Sequence, residues 1–585
     1  MNKGIPLTFT SALLALTLTG CAATDLSVTS AEVTTTTDSA EAIATTASVA
    51  AGSTAEEVLA ANAEVHSADL DHDESAVVDI TLTGQTATVS SDAVTVDGGT
   101  ITITAPGTYR LKGTLTDGQV VVNSSAEGAV QLILAGADIT SSTTAAISFA
   151  DAHEAVVLLA DGTTNSLTDA KEYGYPDADT DEPNAALFST ADLTIAGTGS
   201  LAVTGNANDG IASKDGLVIA SGTVTVDAVD DGIRGKDYVV VQGGSITVDA
   251  GGDGVKSDND EDADKGFIVV KGGTVNVTSG DDGLSATTDA VVTGGTVTVN
   301  AGKGASATSQ DASAKGIVAD AALVLADGTV NVDAADDAIH SNGIITVSGG
   351  DVTVSAGDDG VHADTAVNIT GGQLEVTESY EGIESNDVTI SGGDIAVTAS
   401  DDGINLAGGN DSSAQAGPGD QLLTIAGGQV VIDSGGDGLD SNGSAVMTGG
   451  TVVVSGPTSN GNGSIDVNGK FDVTGGTLLA AGSAGMAETP DADSEQAWVS
   501  ASFASTQDDG TVFAIVANGE VLVTFTASKA IQSIVYSSAE LVAGESYDVM
   551  VGATASGDSI GGMTTSGSTS GATLAGSVTA SGAGS

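Results

Sequence analysis

Asp-Gly pairs recur at fixed spacing through the middle of this chain, and that spacing limits the fold more than any other feature. Asp209, Asp231 and Asp253 begin three such corners, 22 residues apart, and Asp282, Asp359, Asp402 and Asp437 begin later ones. A second marker, a Gly pair, interleaves with the first: Gly243-Gly244, Gly272-Gly273, Gly294-Gly295, Gly349-Gly350 and Gly371-Gly372 among others. Between markers the apolar residues alternate, as in Val239 and Val241, then Ile246 and Val248. Alternation gives strands with one buried face, and the Gly pairs mark sharp bends. A unit this short cannot bury its own apolar face, so successive units must stack. The period is too short for a propeller blade, and the Leu and Asn pattern of leucine-rich repeats is absent. The spacing therefore predicts an all-β fold, a right-handed parallel β-helix of roughly 22 residues per turn, over residues 76–490.

The ends differ from the middle. Lys3, the apolar run from Leu13 to Leu18, and then Leu18-Thr19-Gly20-Cys21 resemble a bacterial lipoprotein signal, residues 1–21. That resemblance implies a lipidated Cys21 and an extracellular protein held to the cell membrane only through the lipid. Residues 22–75 are rich in Thr, Ala and Ser and predict a disordered tether. Residues 491–552, with Trp498, Phe513 and Phe525, predict a small β-rich cap over the end of the stack. Residues 553–585 predict a flexible Gly/Ser/Thr tail.

Charge narrows the function. The chain has 585 residues with 14 Lys+Arg against 79 Asp+Glu, a net charge of −65. Nucleic acid is excluded as a partner, because phosphate binding needs a basic surface. Carboxylates at fixed spacing repel one another unless a cation intervenes, so Ca²⁺ is the expected cofactor. Solubility of an exported protein is the alternative reason for such acidity. The candidate ligands are the corner acids Asp209, Asp230, Asp231, Asp253, Asp281 and Asp282. The acidic insertion adds Asp258, Asp260 and Asp262.

Around each corner the apolar residue and the small residue two positions on point inward, so the residues between point out. The outward column opens with Lys214, Arg234, Lys236 and Lys256 and continues through His340, His362 and Glu384. Four of only 14 cations thus share one face beside carboxylates. Two readings stay open. The cations neutralise the acid row, or with Tyr238 they form a linear track for polysaccharide, pairing with uronate carboxylates or sugar hydroxyls.

Asn206 to Asp215, Asp230-Asp231-Gly232-Ile233-Arg234-Gly235-Lys236 and Gly252-Asp253-Gly254-Val255-Lys256 resemble the bacterial carbohydrate-binding domain-containing family. Asp181 to Phe188 and Gly107 to Gly113 resemble its N-terminal coils. The resemblance implies a pectate-lyase-like fold, bound calcium near Asp209, Asp230, Asp231, Asp253, Asp258 and Asp260, and polysaccharide binding without catalysis. Gly304-Ala305 and Asp337-Ala338 depart from the Asp-Gly corner, so ion sites are not expected at those turns. Two alternatives remain: a Ca²⁺-dependent polysaccharide lyase using one of the four cations as base, and a structural adhesin without a sugar ligand. The protein is expected to act as a monomer.

Overall fold

The computed structural model describes residues 50–175, 180–307, 313–407 and 419–582. Cys21 and the signal resemblance around it lie outside the described residues.

Strands dominate, and most belong to one hydrogen-bonded sheet of 44 strands. Three parallel ladders make up its bulk. The first carries the Asp-Gly corners and runs through Asp209–Ser213, Ile233–Gly235 and Val255–Ser257. Further along it come Ile339–Ser341, Val361–Ile369 and Ile383–Ile390. Ile211 pairs with Ile233 and Ile233 with Val255, so the sequence period becomes the ladder step. The third ladder shows the expected alternation. In Thr223–Ala228 and Ser245–Ala250 every second residue is buried, so Val224, Val226, Ile246 and Val248 enter the core.

Glycine is required at two kinds of position. Gly244 has φ of 93°, where an L side chain is strained. At the Asp-Gly corner the reason is space: a Cβ on Gly232 would lie 2.2 Å from Cγ1 of Val248.

The closure differs from expectation. Ala129–Thr140 and Asp289–Ala301 turn corners without breaking, so each joins two ladders. Pairing runs from Ala129–Thr140 through Glu154–Leu159, Leu193–Gly197, Gly216–Ile219, Tyr238–Val241 and Phe267–Val270 to Asp289–Ala301. It returns through Thr274–Ser279, Ser245–Ala250, Thr223–Ala228, Ser200–Gly205 and Thr164–Thr168. This is a closed ring of twelve parallel strands with the other strands outside it, and it corrects the expected right-handed β-helix solenoid. The physical reason is that a Gly pair inside a strand, such as Gly294-Gly295, bends the backbone and shifts the ladder register without ending the strand.

Two boundaries also change. Within the expected tether, Ala55–Ala61 forms a helix closed by a Thr54/Glu57 capping box. Its Val58 is fully buried against Val240, Val269 and Val324, on the outer face of the second ladder, the one through Gly216–Ile219, Tyr238–Val241 and Phe267–Val270. At the other end the expected tail contributes Thr573–Thr579, which pairs antiparallel with Ser546–Val551. A five-stranded antiparallel sheet results, packed around Phe513, Phe525 and Tyr536. No helix among the described residues is long and apolar enough to cross a membrane.

Candidate functional site

Stacking gives the corner acids two different oxygens. Asp231 accepts the amide of Asp253 on Oδ1 at 3.0 Å, and Asp253 accepts that of Asp282 at 3.0 Å. Asp337 and Asp359 repeat the contact at 3.1 Å. One oxygen of each acid is therefore tied to the next turn's backbone. The other faces the outward row.

The four predicted cations lie along that row, and each meets a carboxylate. Lys256 reaches Oδ2 of Asp253 at 2.8 Å and of Asp231 at 3.2 Å. Arg234 pairs with Asp258 and lies 3.7 Å from Asp209. Lys214 pairs with Glu182, and Lys236 stands 3.6 Å from the exposed Glu261. Burial works to lower the Lys256 ammonium, but the carboxylates of Asp253 and Asp231 hold it well above its usual value. Burial, reinforced by Asp231, pushes the Asp209 carboxyl up to about 7 although Arg234 opposes it. Asp282 is likewise raised to about 7, first by burial.

Lys214, Arg234 and Lys236 line a cavity of about 260 Å³ together with Glu182, Asn184 and Phe188. Tyr238 is not part of this face. It is buried and stacked on Phe267, its hydroxyl accepts the amide of His66 at 2.9 Å, and it donates to Asp192 at 2.9 Å. The alternation rule failed there because the N-terminal helix covers the outer face of the second ladder. Tyr173 donates to Asp169 at 2.7 Å, anchoring its own loop.

The predicted metal ligands divide. Asp253, Asp281 and Asp282 present oxygens within 4.8 Å of one another. An all-carboxylate set of this kind fits Ca²⁺. Asp253 also holds Lys256 at 2.8 Å, as Asp231 does at 3.2 Å, while Asp209 faces Arg234 and Asp258 is engaged by it. Asp230, Asp260 and Asp262 are exposed, and Asp262 lies 3.2 Å from Lys265.

Further along the row the structure gathers acids and histidines around the departing corner at Asp337. Asp337, His340 and His362 come together, as do Asp359, His362 and Glu384, each set within 4.8 Å. Burial acts to raise Asp337, but His340 and Lys315 hold it well below the usual carboxylate range. Asp359, buried beside it, is pushed up to about 9. Asp402, Asp437 and Asp440 form a third set.

Comparison with known proteins agrees with the sequence resemblance. The model of the carbohydrate-binding domain-containing protein family matches residues 97–360 and 360–546. A curated protein of Acetivibrio thermocellus with that same description is 39% identical over 137 residues, 23% of this chain. The match spans about half of that relative, 48% of its length. A solved structure of a polysaccharide lyase-like protein from C. thermocellum, a gadolinium derivative, shares 34% identity with a TM-score of 0.38. It aligns with 38% of this chain and 91% of its own.

Proposed function

Since the chain belongs to the carbohydrate-binding domain-containing protein family, we propose that it binds acidic or β-linked polysaccharide at the outward face of the first ladder and does not cleave it. The observation that carries this reading is the cavity where Lys214, Arg234 and Lys236 meet carboxylates beside Phe188. Cations offer donors to uronate carboxylates, and the acids accept from sugar hydroxyls. Ca²⁺ at Asp253, Asp281 and Asp282 neutralises the adjoining acids and braces the row. In the cell the protein acts outside the membrane, held by lipid on Cys21, as a monomer.

Pairing of the cations supports binding over cleavage. β-Elimination needs a base that can give up its proton near neutral pH. The carboxylates around Lys256 keep its ammonium charged, and Arg234 is charged at any physiological pH.

The test is calorimetric titration of the full chain with polygalacturonate and soluble β-glucans in Ca²⁺, with ultraviolet absorbance followed in parallel. Heat of binding with flat absorbance is expected. Steady growth of absorbance from unsaturated products would make the protein a lyase, and silence across the glycan set would leave the adhesin reading.

A further inference from the structure

We propose that His340 and His362, with Asp337, Asp359 and Glu384, form a binding site for a divalent first-row transition metal ion.

Strand register creates the site. Ile339, Val361 and Ile383 are neighbours across three strands, which brings His340, His362 and Glu384 side by side. The two imidazoles meet edge to face, centroids 4.9 Å apart. The corner acids Asp337 and Asp359 each precede a histidine by three residues and point to the same place. Nδ1 of His362 lies 3.0 Å from Asp359, 3.7 Å from Asp337 and 3.9 Å from Glu384. A tetrahedral ion with bonds of about 2.0–2.1 Å holds its ligands roughly 3.3 Å apart. The donors already stand near that separation, and all three carboxylates are buried.

The hydrogen bonding of His340 points the same way. Its Nε2 faces Oδ1 of Asn342 at 2.9 Å. The amide of Asn342 is oriented by its own Nδ2, which donates to Asp320 at 2.7 Å. With Nε2 donating to the Asn342 oxygen, Nδ1 meets Asp337 at 2.8 Å through a second ring proton, the imidazolium that draws Asp337 down, or through a metal ion in that proton's place. Two acceptors do not sit in contact unless a cation or a proton is shared between them. A metal-bound histidine whose other nitrogen donates to a carbonyl oxygen has this same arrangement. Around the donors lies a cavity of about 260 Å³ that also touches Lys315 and Tyr380. Lys315 holds Asp336 and Asp337 at 2.6 Å each, so one fixed cation already serves part of the charge.

Imidazole donors set the selectivity. Ca²⁺ takes six to eight oxygens, whereas nitrogen donors favour Co²⁺, Ni²⁺, Cu²⁺ and Zn²⁺. The site thus differs in chemistry from the all-oxygen set at Asp253, Asp281 and Asp282.

Metal-free full-length protein titrated with Co²⁺ at pH 7 tests this. The visible d–d band of nitrogen-ligated cobalt is expected, saturating at one equivalent, displaced by Zn²⁺ and unmoved by a hundredfold excess of Ca²⁺. His362→Gln is expected to lose the band and at least tenfold in affinity, and His340→Gln to weaken binding with the far-ultraviolet spectrum unchanged. No band in the wild-type chain would overturn the proposal, since it would mean that the rings hold only protons. So would equal cobalt binding by wild type and both variants.

Discussion

The acid row begins and ends with the same backbone contact but different electrostatics. At its start, Oδ1 of Asp231 caps the amide of Asp253 while Lys256 spans the Oδ2 atoms of both acids. At its end, Asp402 accepts the amide of Asp437 at 2.6 Å and Asp437 that of Gly463 at 2.5 Å. Among the described residues no Lys, Arg or His forms an ion pair with Asp402, Asp437 or Asp440 there. Asp is therefore placed at the corner by the amide it caps, and that role is indifferent to the fate of its second oxygen. What neutralises the second oxygen distinguishes one stretch of the row from another: Lys and Arg first, then Lys315 with two histidines, then no side-chain cation.

The sharpest break of this contrast removes the cation at the start. Lys256→Met leaves Asp231 and Asp253 facing each other, both buried. Losing one partner of a buried ion pair costs about 3 kcal/mol. The urea midpoint at pH 7 is expected to fall accordingly, and millimolar Ca²⁺ to restore part of it. A loss below about 1 kcal/mol would mean that Lys256 is not what balances the row.

The end of the row, with no side-chain cation to offset its acids, should respond to pH. Burial first, then neighbouring carboxylates, push Asp402 up to about 7, Asp437 to about 6 and Asp440 to about 8. A carboxyl whose folded value exceeds its unfolded one, near 3.9, binds its proton more tightly in the folded state. Its contribution is present below pH 4 and is lost as pH rises through 6 to 8. Calcium-free protein is accordingly expected to melt at a lower temperature at pH 8 than at pH 5. Asp440→Asn should raise the unfolding free energy at pH 8 by on the order of 1 kcal/mol and flatten the dependence. A variant less stable than wild type at pH 8 would mean that the carboxylate is already compensated.

How far the sequence reveals these regions depends on what each contact requires. The ladder step was readable because the Asp cap, the close-packed corner Gly and the inward Val or Ile must recur together. Ring closure was not, since Gly294-Gly295 in a bent but unbroken strand has the same letters as a chain turn. The helix at Ala55–Ala61 offers a single fully buried side chain, Val58, in an Ala- and Glu-rich run, so periodicity had little to register. Tyr238 is hidden for the same reason, since the segment that covers it, reaching it through His66, has the composition of a tether. The histidine cluster falls outside the Asp-Gly rule only at Ala338. That residue replaces the glycine of the corner and leaves the carboxylate of Asp337 where the stack puts it.

The smallest expected effect separates the two roles of the cations at the start of the row. Lys214 is half exposed beside Glu182, and Lys236 meets a Glu261 that is 76% exposed. Exposed pairs of this kind contribute about 0–1 kcal/mol each, because water screens them and ordering long side chains costs entropy. The double variant Lys214→Ala with Lys236→Ala should therefore keep its urea midpoint within about 1 kcal/mol of wild type. If the cavity they line grips acidic glycan, polygalacturonate affinity should nonetheless fall by about tenfold, the loss of one charge-assisted contact. Unchanged affinity with lowered stability would assign both lysines to balancing the acids, as Lys256 does, and would take the ligand track off this face.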